Sequence, residues 1–345
     1  MTTDAIPSSG RPSRLSNSVV LNAGLAILAV FLGAVSLIMP SARGASLSDI
    51  TTMLSTDPDL ARLIVLEIRL PRVFLGLLVG ATLGLCGAAL QGLLRNPLAE
   101  PGLIGVSGGA ALGSVIVFYF MLATGTSLAV PIGGIVGAFV SLVVLYLLSG
   151  NRPSVSTLIL AGVAINAFAG AMTSLTLNFA PNPYAALEIV FWLMGSLVDR
   201  SGDHVLLVLP FLVLGWGLIA STSRALDALS LGEDTAQSLG FDPFWVKARV
   251  ILGTGLAVGA SVSVTGVIGF VGLVIPHLLR PLTGYQPSRL LLPSALGGAV
   301  LLTAADIAVR LLSWQAELRI GVVTALVGAP FFLFLIIKTR RTSEL

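Results

Sequence analysis

Charge is what this 345-residue sequence has least of: 19 Lys and Arg with 16 Asp and Glu make up 10% of the chain, against about a quarter in soluble globular proteins. So few ionised groups cannot build a water-facing surface for a chain of this length. Histidine occurs twice, at His204 and His277, and cysteine once, at Cys86. That excludes a disulfide framework and a cysteine-based zinc or iron-sulfur centre; Cys86, inside an apolar stretch, is expected as a small core residue. There is no GxxxxGK[ST] phosphate loop and no HExxH helix. The glycine-rich GVSGGAALGS at 105–114 has no lysine and sits in an apolar window, so it does not hold ATP. No catalytic residues, metal ligands or cofactor site are expected.

Apolar residues make up 55% of the chain and the mean hydropathy is +0.99, so the solvent for most side chains is lipid. At about 20 residues per spanning helix, the expected fold is an all-α membrane protein of ten transmembrane helices. Apolar windows place them at 19–39, 70–94, 102–121, 129–149, 155–178, 205–222, 246–266, 268–283, 290–309 and 319–338. The eighth is short and holds Pro276. Segment 183–198 is apolar but carries Glu188 and reads as a re-entrant or surface helix. The Ser-, Pro- and Arg-rich residues 1–18 and the last residues, 339–345, are expected as cytoplasmic tails around a transmembrane domain at 19–338. The run 19–39 exceeds a signal-peptide core and lacks an A-x-A site, so it is read as a retained span.

With the N-terminus inside, cytoplasmic loops receive 12 of the 19 basic residues, a modest positive-inside bias. The basic residues are scattered and form no nucleic-acid patch. Arginines left outside include Arg69, Arg72 and Arg310. RVFLG at 72–76 followed by VGA resembles RVILG at 249–253 followed by VGA; the first opens an inward span and the second an outward one, the pattern of an inverted internal repeat. Asp306, the acidic residue deepest in an expected span, precedes Arg310 by four residues and is placed to pair with it. Asn166 and Asn178 are candidate pathway groups or interhelical hydrogen-bonders. The inside segment ALDALSLGEDTAQSLGFD, 225–242, presents Leu226, Leu229 and Leu231 before a short polar helix, which suits docking to a protein partner.

Five segments together resemble the FecCD-type permease subunits of ABC importers for iron-siderophores, haem and cobalamin. They are RLPRVFLGLLVGATLGLCGAALQGLLRNPLAEPGLIGVSGGAALGS (69–114), STLILAGVAIN (156–166), LSLGEDTAQSLGFD (229–242), GVIGFVGLVIPHLLR (266–280) and ADIAVRLLSWQAELRIGVVTALVGAPFFLFL (305–335). The resemblance implies a second permease subunit of the same or a related chain, two ATP-binding-cassette ATPase subunits and an extracytoplasmic substrate-binding protein. It implies that Arg69, Arg72 and Arg310 meet acidic residues of that binding protein. It places a coupling helix on 229–240, with Leu231, Gly232, Glu233, Gln237 and Gly240 seated in an ATPase cleft. The inner gate falls on Asn96, Pro97 and Leu98 and on Ser154, Val155 and Ser156, with Asn166 near the pathway; Val155 sits where relatives can carry a hydroxyl residue.

On this reading the subunit is a non-catalytic, multi-pass protein of the cytoplasmic membrane that moves a ferric siderophore, or haem or cobalamin, by alternating access. A different class, the ion-coupled secondary carrier, would keep more ionisable groups at membrane depth. A membrane-embedded enzyme would need a cluster of them.

Overall fold

A computed structural model describes residues 14–40, 47–120, 128–150, 154–180, 182–312 and 318–343. Among these residues every regular element is helical: α1 (Arg14–Ile38), α2 (Leu47–Thr56), α3 (Pro58–Leu63), α4 (Leu70–Leu93), α5 (Val106–Tyr119), α6 (Ala129–Ser149), α7 (Val155–Asn178) and α8 (Pro183–Leu193), then α9 (Gly202–Ala220), α10 (Ser223–Ser230), α11 (Glu233–Ser238), α12 (Pro243–Thr265), α13 (Val271–Leu279), α14 (Pro287–Leu312) and α15 (Ile320–Ser343). A π-helical turn, Ile64–Arg69, joins α3 to α4, and 3-10 turns occupy Pro101–Ile104 and Pro281–Thr283. Helices dominate because hydrocarbon offers no partner for a backbone N–H or C=O.

Seven helices are long and apolar enough to span a bilayer, and three shorter apolar ones, Val106–Tyr119, Pro183–Leu193 and Ile320–Phe334, accompany them. The main departure from the expected spans is at 268–283, where the helix is only the nine residues of α13. Phe270, at φ 67, precedes it in the left-handed region. The irregular backbone from Gly266 to Phe270 lies against the equally irregular stretch after α8. There the Ser196 amide donates to the Thr265 carbonyl (2.7 Å) and the Ile320 amide to the Gly195 carbonyl (3.1 Å). Non-helical chain is tolerated at this depth because protein, not lipid, surrounds it. At the ends, helix α1 starts at Arg14, inside the segment expected as a tail, and α15 runs on to Ser343; residues 1–13 and 344–345 lie outside the described residues.

Two helices form the centre. The span containing α4 is 78% buried and α12 is 72% buried, against 11% for the first span. α4 runs parallel to α9: Leu197, ahead of α9, lies beside Gly76, the Trp216 indole donates to Thr82 (3.0 Å), and Leu226, beyond α9 in α10, lies beside Gly92. α12 is antiparallel to α9, because Ala257 meets Gly215 while Gly253 meets Ile219. The two similar motifs therefore sit in the two most buried spans and point in opposite directions, as an inverted repeat requires.

α4 and α14 pack backbone to backbone, with Gly80 facing the Gly298 backbone and Gly84 the Ser294 carbonyl. Without a hydrophobic drive between helices in lipid, such backbone contact supplies the packing energy. A Cβ on Gly84 would overlap the Ser294 carbonyl, whereas one on the exposed Gly217 meets nothing within 4 Å. Gly84→Leu should therefore cost about 3 kcal/mol, the upper end for overpacking, and Gly217→Leu almost nothing. Thermal unfolding in detergent, followed by the monodisperse fraction on size exclusion, checks the pair; equal midpoints would refute the packing argument.

Candidate functional site

The outer end of the bundle gathers the arginines. Pro71 in the first turn of α4 and the π-helical turn before it set Arg69 and Arg72 on the side of α4 that faces α1 and α14. Arg72 grips Asp306 of α14 through Nε and Nη2 at 2.8–3.2 Å. Arg310, one turn further along α14, takes the other oxygen through Nη2 at 2.6 Å and Nε at 3.0 Å. Arg310 also reaches α1, donating to the Ser36 carbonyl (2.7 Å) and hydroxyl (2.9 Å), while Arg69 donates to the Leu37 and Ile38 carbonyls (3.0 and 3.1 Å). The last carbonyls of a helix have no partner within it, so two guanidinium groups close the C-terminal end of α1. All three arginines are less than 10% exposed. Asp306 is thus shared between the Arg72 and Arg310 guanidinium groups.

The inner end holds the expected coupling and gate residues. The stretch 229–240 is not one helix but the end of α10, a break at Leu231 and Gly232, and α11. Gly232, at φ 115, has a conformation that L side chains rarely adopt. α11 stops in a Schellman motif, with the Gly240 amide on the Gln237 carbonyl (2.9 Å) and the Phe241 amide on the Ala236 carbonyl (3.0 Å). Of the three leucines expected to meet a partner, Leu226 and Leu229 are buried and Leu231 is 69% exposed. Amphipathicity explains the split, since the inward face of α10 needs apolar residues to pack beneath the bundle.

Glu233, Gln237 and Gly240 share a cytoplasmic cleft of about 800 Å³ with Ser154, Val155, Arg95 and Lys247. Ser154 caps α7, its hydroxyl accepting from the Thr157 amide (3.1 Å), and Ser156 is exposed beside it. Asn96, Pro97 and Leu98 form an exposed turn next to Arg95, held by the Leu98 amide on the Asn96 side chain (2.9 Å). Asn166 lies away from this cleft and donates to the Gly102 carbonyl (2.7 Å), tying α7 to the 3-10 turn before α5. In that turn, burial pushes the Glu100 carboxyl above its ordinary range, against an opposing hydrogen bond from the Phe270 backbone.

Three anchoring residues escaped the sequence reading. Lys247, buried in α12, pairs with Glu233 at 2.9 Å. Buried Gln91 joins the end of α4 to Arg280 and to the Ala99 and Leu273 carbonyls. Asp227 of α10 takes three hydrogen bonds from the start of α14: Gln286 Nε2 (2.8 Å), the Ser288 amide (2.8 Å) and the Ser288 hydroxyl (2.6 Å). Only for Asp227 was a signal available, since GYQPSR with proline ahead of a long apolar run marks a helix start.

Among the described residues no group of His, Cys, Asp and Glu could hold a metal ion. Residues 25–338 match the FecCD transport family. The chain belongs to that family. It is 41% identical to the vitamin B12 import system permease BtuC of Vibrio cholerae, over 80% of this chain and 83% of that one. The identity is 40% to the hemin transport system permease HmuU of Yersinia pestis, over 80% and 83%, and 41% to an uncharacterized ABC transporter permease, YvrB, of Bacillus subtilis, over 81% and 80%. A solved structure described as an inward-facing conformation of a metal-chelate type ABC transporter superposes with a TM-score of 0.81 at 35% identity, covering 93% of this chain and 99% of the other. The chain is accordingly an ABC transport permease, a multi-pass protein of the cytoplasmic membrane.

Proposed function

We propose that this permease imports a bulky metal chelate, with a ferric siderophore as the first substrate to test and haem or cobalamin as the alternatives. It works as one of two permease subunits, powered by two separate ATPase subunits and loaded by an extracytoplasmic binding protein. The observation that carries this reading is the cytoplasmic cleft, which α11 and the start of α7 both line, so that displacement of an exposed surface helix changes the space beside the candidate gate. The solid centre formed by α4 and α12 supports a route beside the subunit, between two copies. The cluster of Arg69, Arg72 and Arg310 at the outer end is the proposed docking place of an acidic partner.

The test is uptake into proteoliposomes holding this chain and its ATPase, with ferrichrome, haemin and cyanocobalamin offered in turn alongside the binding protein. ATP-dependent uptake of one chelate, unaffected by a protonophore, is expected. A chain that never co-purifies with an ATPase, or uptake that collapses with the protonophore at constant ATP, would refute the proposal in favour of an ion-coupled carrier.

A further inference from the structure

We propose that Asp227 is the joint through which movement of the coupling segment is passed to α14, and that α4 and α14 then move as one rigid body carrying the cytoplasmic signal to the outer arginines. The proposal rests on the coupling role given above to residues 229–240.

The physical path is continuous. α10 leads directly into the exposed segment at Leu231 and Gly232, and its inward face is fixed by buried Leu226 and Leu229. From that helix the Asp227 carboxylate accepts from both side chains and the one amide named above at the start of α14. It satisfies a donor that the first turn of a helix leaves open, and its negative charge sits at the positive end of the helix dipole. Few contacts resist shear at a cytoplasmic loop, but three short hydrogen bonds to one carboxylate do.

Beyond this joint, α14 runs for 26 residues, about 39 Å at 1.5 Å per residue. Pro293 interrupts its hydrogen bonding one turn and a half from the start. Immediately past that point Ser294 and Gly298 lie against Gly84 and Gly80 of α4, so bending at the proline is resisted by backbone contact. At the far end Asp306 is bonded to Arg72 of α4 as well as to its own Arg310. The two helices are thus bonded at the outer end and packed backbone to backbone along their middle, and at the inner end Gly92 of α4 lies beside Pro287 of α14. A displacement of Asp227 can move them together more easily than it can slide one along the other, because close-packed interfaces shift between discrete arrangements. Spatial continuity alone is not proof of coupling, so the experiment measures the coupling itself.

Cys86 is the chain's one cysteine and is fully buried, so a single cysteine introduced at Leu311, 63% exposed at the outer end of α14, can be followed with a membrane-impermeant maleimide. The complex of this chain with its ATPase is labelled without nucleotide and after trapping with ATP and vanadate, and rates are taken per trapped complex. The Leu311→Cys background is expected to change its labelling rate at least about threefold on trapping. Adding Asp227→Ala should bring that ratio to about one, and Asp227→Asn, which keeps an acceptor for the Ser288 amide, should restore part of it. If Asp227→Ala does not assemble, the pair Gln286→Ala with Ser288→Ala removes two of the three bonds and should weaken the response. A full response in either alanine variant, or no response in the Leu311→Cys background itself, overturns the proposal. Failure of the unsubstituted chain to assemble with any ATPase would instead refute the coupling role on which it rests.

Discussion

Asp306→Ala is expected to destabilise the folded subunit by about 3–5 kcal/mol, the range for removing one partner of a buried ion pair. Asp306 is 2% exposed and is the acidic partner of both Arg72 and Arg310, each less than 10% exposed. Its loss leaves two guanidinium groups in a poorly solvated site with no carboxylate between them, and their mutual repulsion adds to the desolvation cost. The consequence reaches α1, whose span is only 11% buried and whose outer end depends on Arg69 and Arg310 for closure of its carbonyls. Asp306→Asn, which keeps one acceptor, should lose less. Thermal unfolding midpoints in detergent, with protease access to the α1–α2 connection, check both; a midpoint for Asp306→Ala within a degree of the parent would show the network to be dispensable. The same geometry bears on tests of docking. Arg72→Glu would set a second carboxylate against Asp306 and damage the fold, so loss of partner binding in that variant says nothing about docking; Arg69 donates to the Leu37 and Ile38 carbonyls, so a change there does not set a carboxylate directly into the Asp306 pair.

The sequence disclosed these residues but not their arrangement. The spacing of Asp306 and Arg310 announces a pair on one helix face, and that pair forms at 2.6 Å. That Arg72 joins it across 234 positions depends on α4 and α14 being antiparallel neighbours, which no local pattern encodes. The long spans were legible because lipid imposes length and apolarity on each one separately. α13 was overestimated for the converse reason: a buried apolar stretch looks the same whether its backbone is helical, as in Val271–Leu279, or irregular, as in Gly266–Phe270, since protein neighbours supply the missing hydrogen bonds. The coupling segment was readable as a polar island between apolar runs, and its division into two helices was marked only by Gly232. Lys247 was counted as one more inside cation, and its pairing with Glu233 follows from a turn of chain whose direction composition does not specify.

Gly232→Val should leave the membrane bundle intact and uncouple it. The residue lies at the cytoplasmic surface at φ 115, and a Cβ placed there meets only the Thr235 hydroxyl, at 3.9 Å. No core contact is lost, and the effect is backbone strain of about 1–3 kcal/mol. Helix α11 is poorly equipped to absorb that strain. It has six residues, buries only Ala236, and is tied to α12 by the ion pair of Glu233 with Lys247. Strain of this size shifts an equilibrium by roughly 5- to 150-fold, enough to turn α11 out of the orientation that the neighbouring cleft accommodates. The expected result is an unfolding midpoint close to the parent, with substrate imported per ATP hydrolysed reduced about tenfold or more. The comparison with Asp306→Ala gives the argument its force: one substitution should remove stability at the outer end, the other should spare stability and remove coupling at the inner end. If Gly232→Val imports as efficiently per ATP as the parent, the position of α11 is not what links hydrolysis to transport. The link would then have to run through α10 and the Asp227 joint alone.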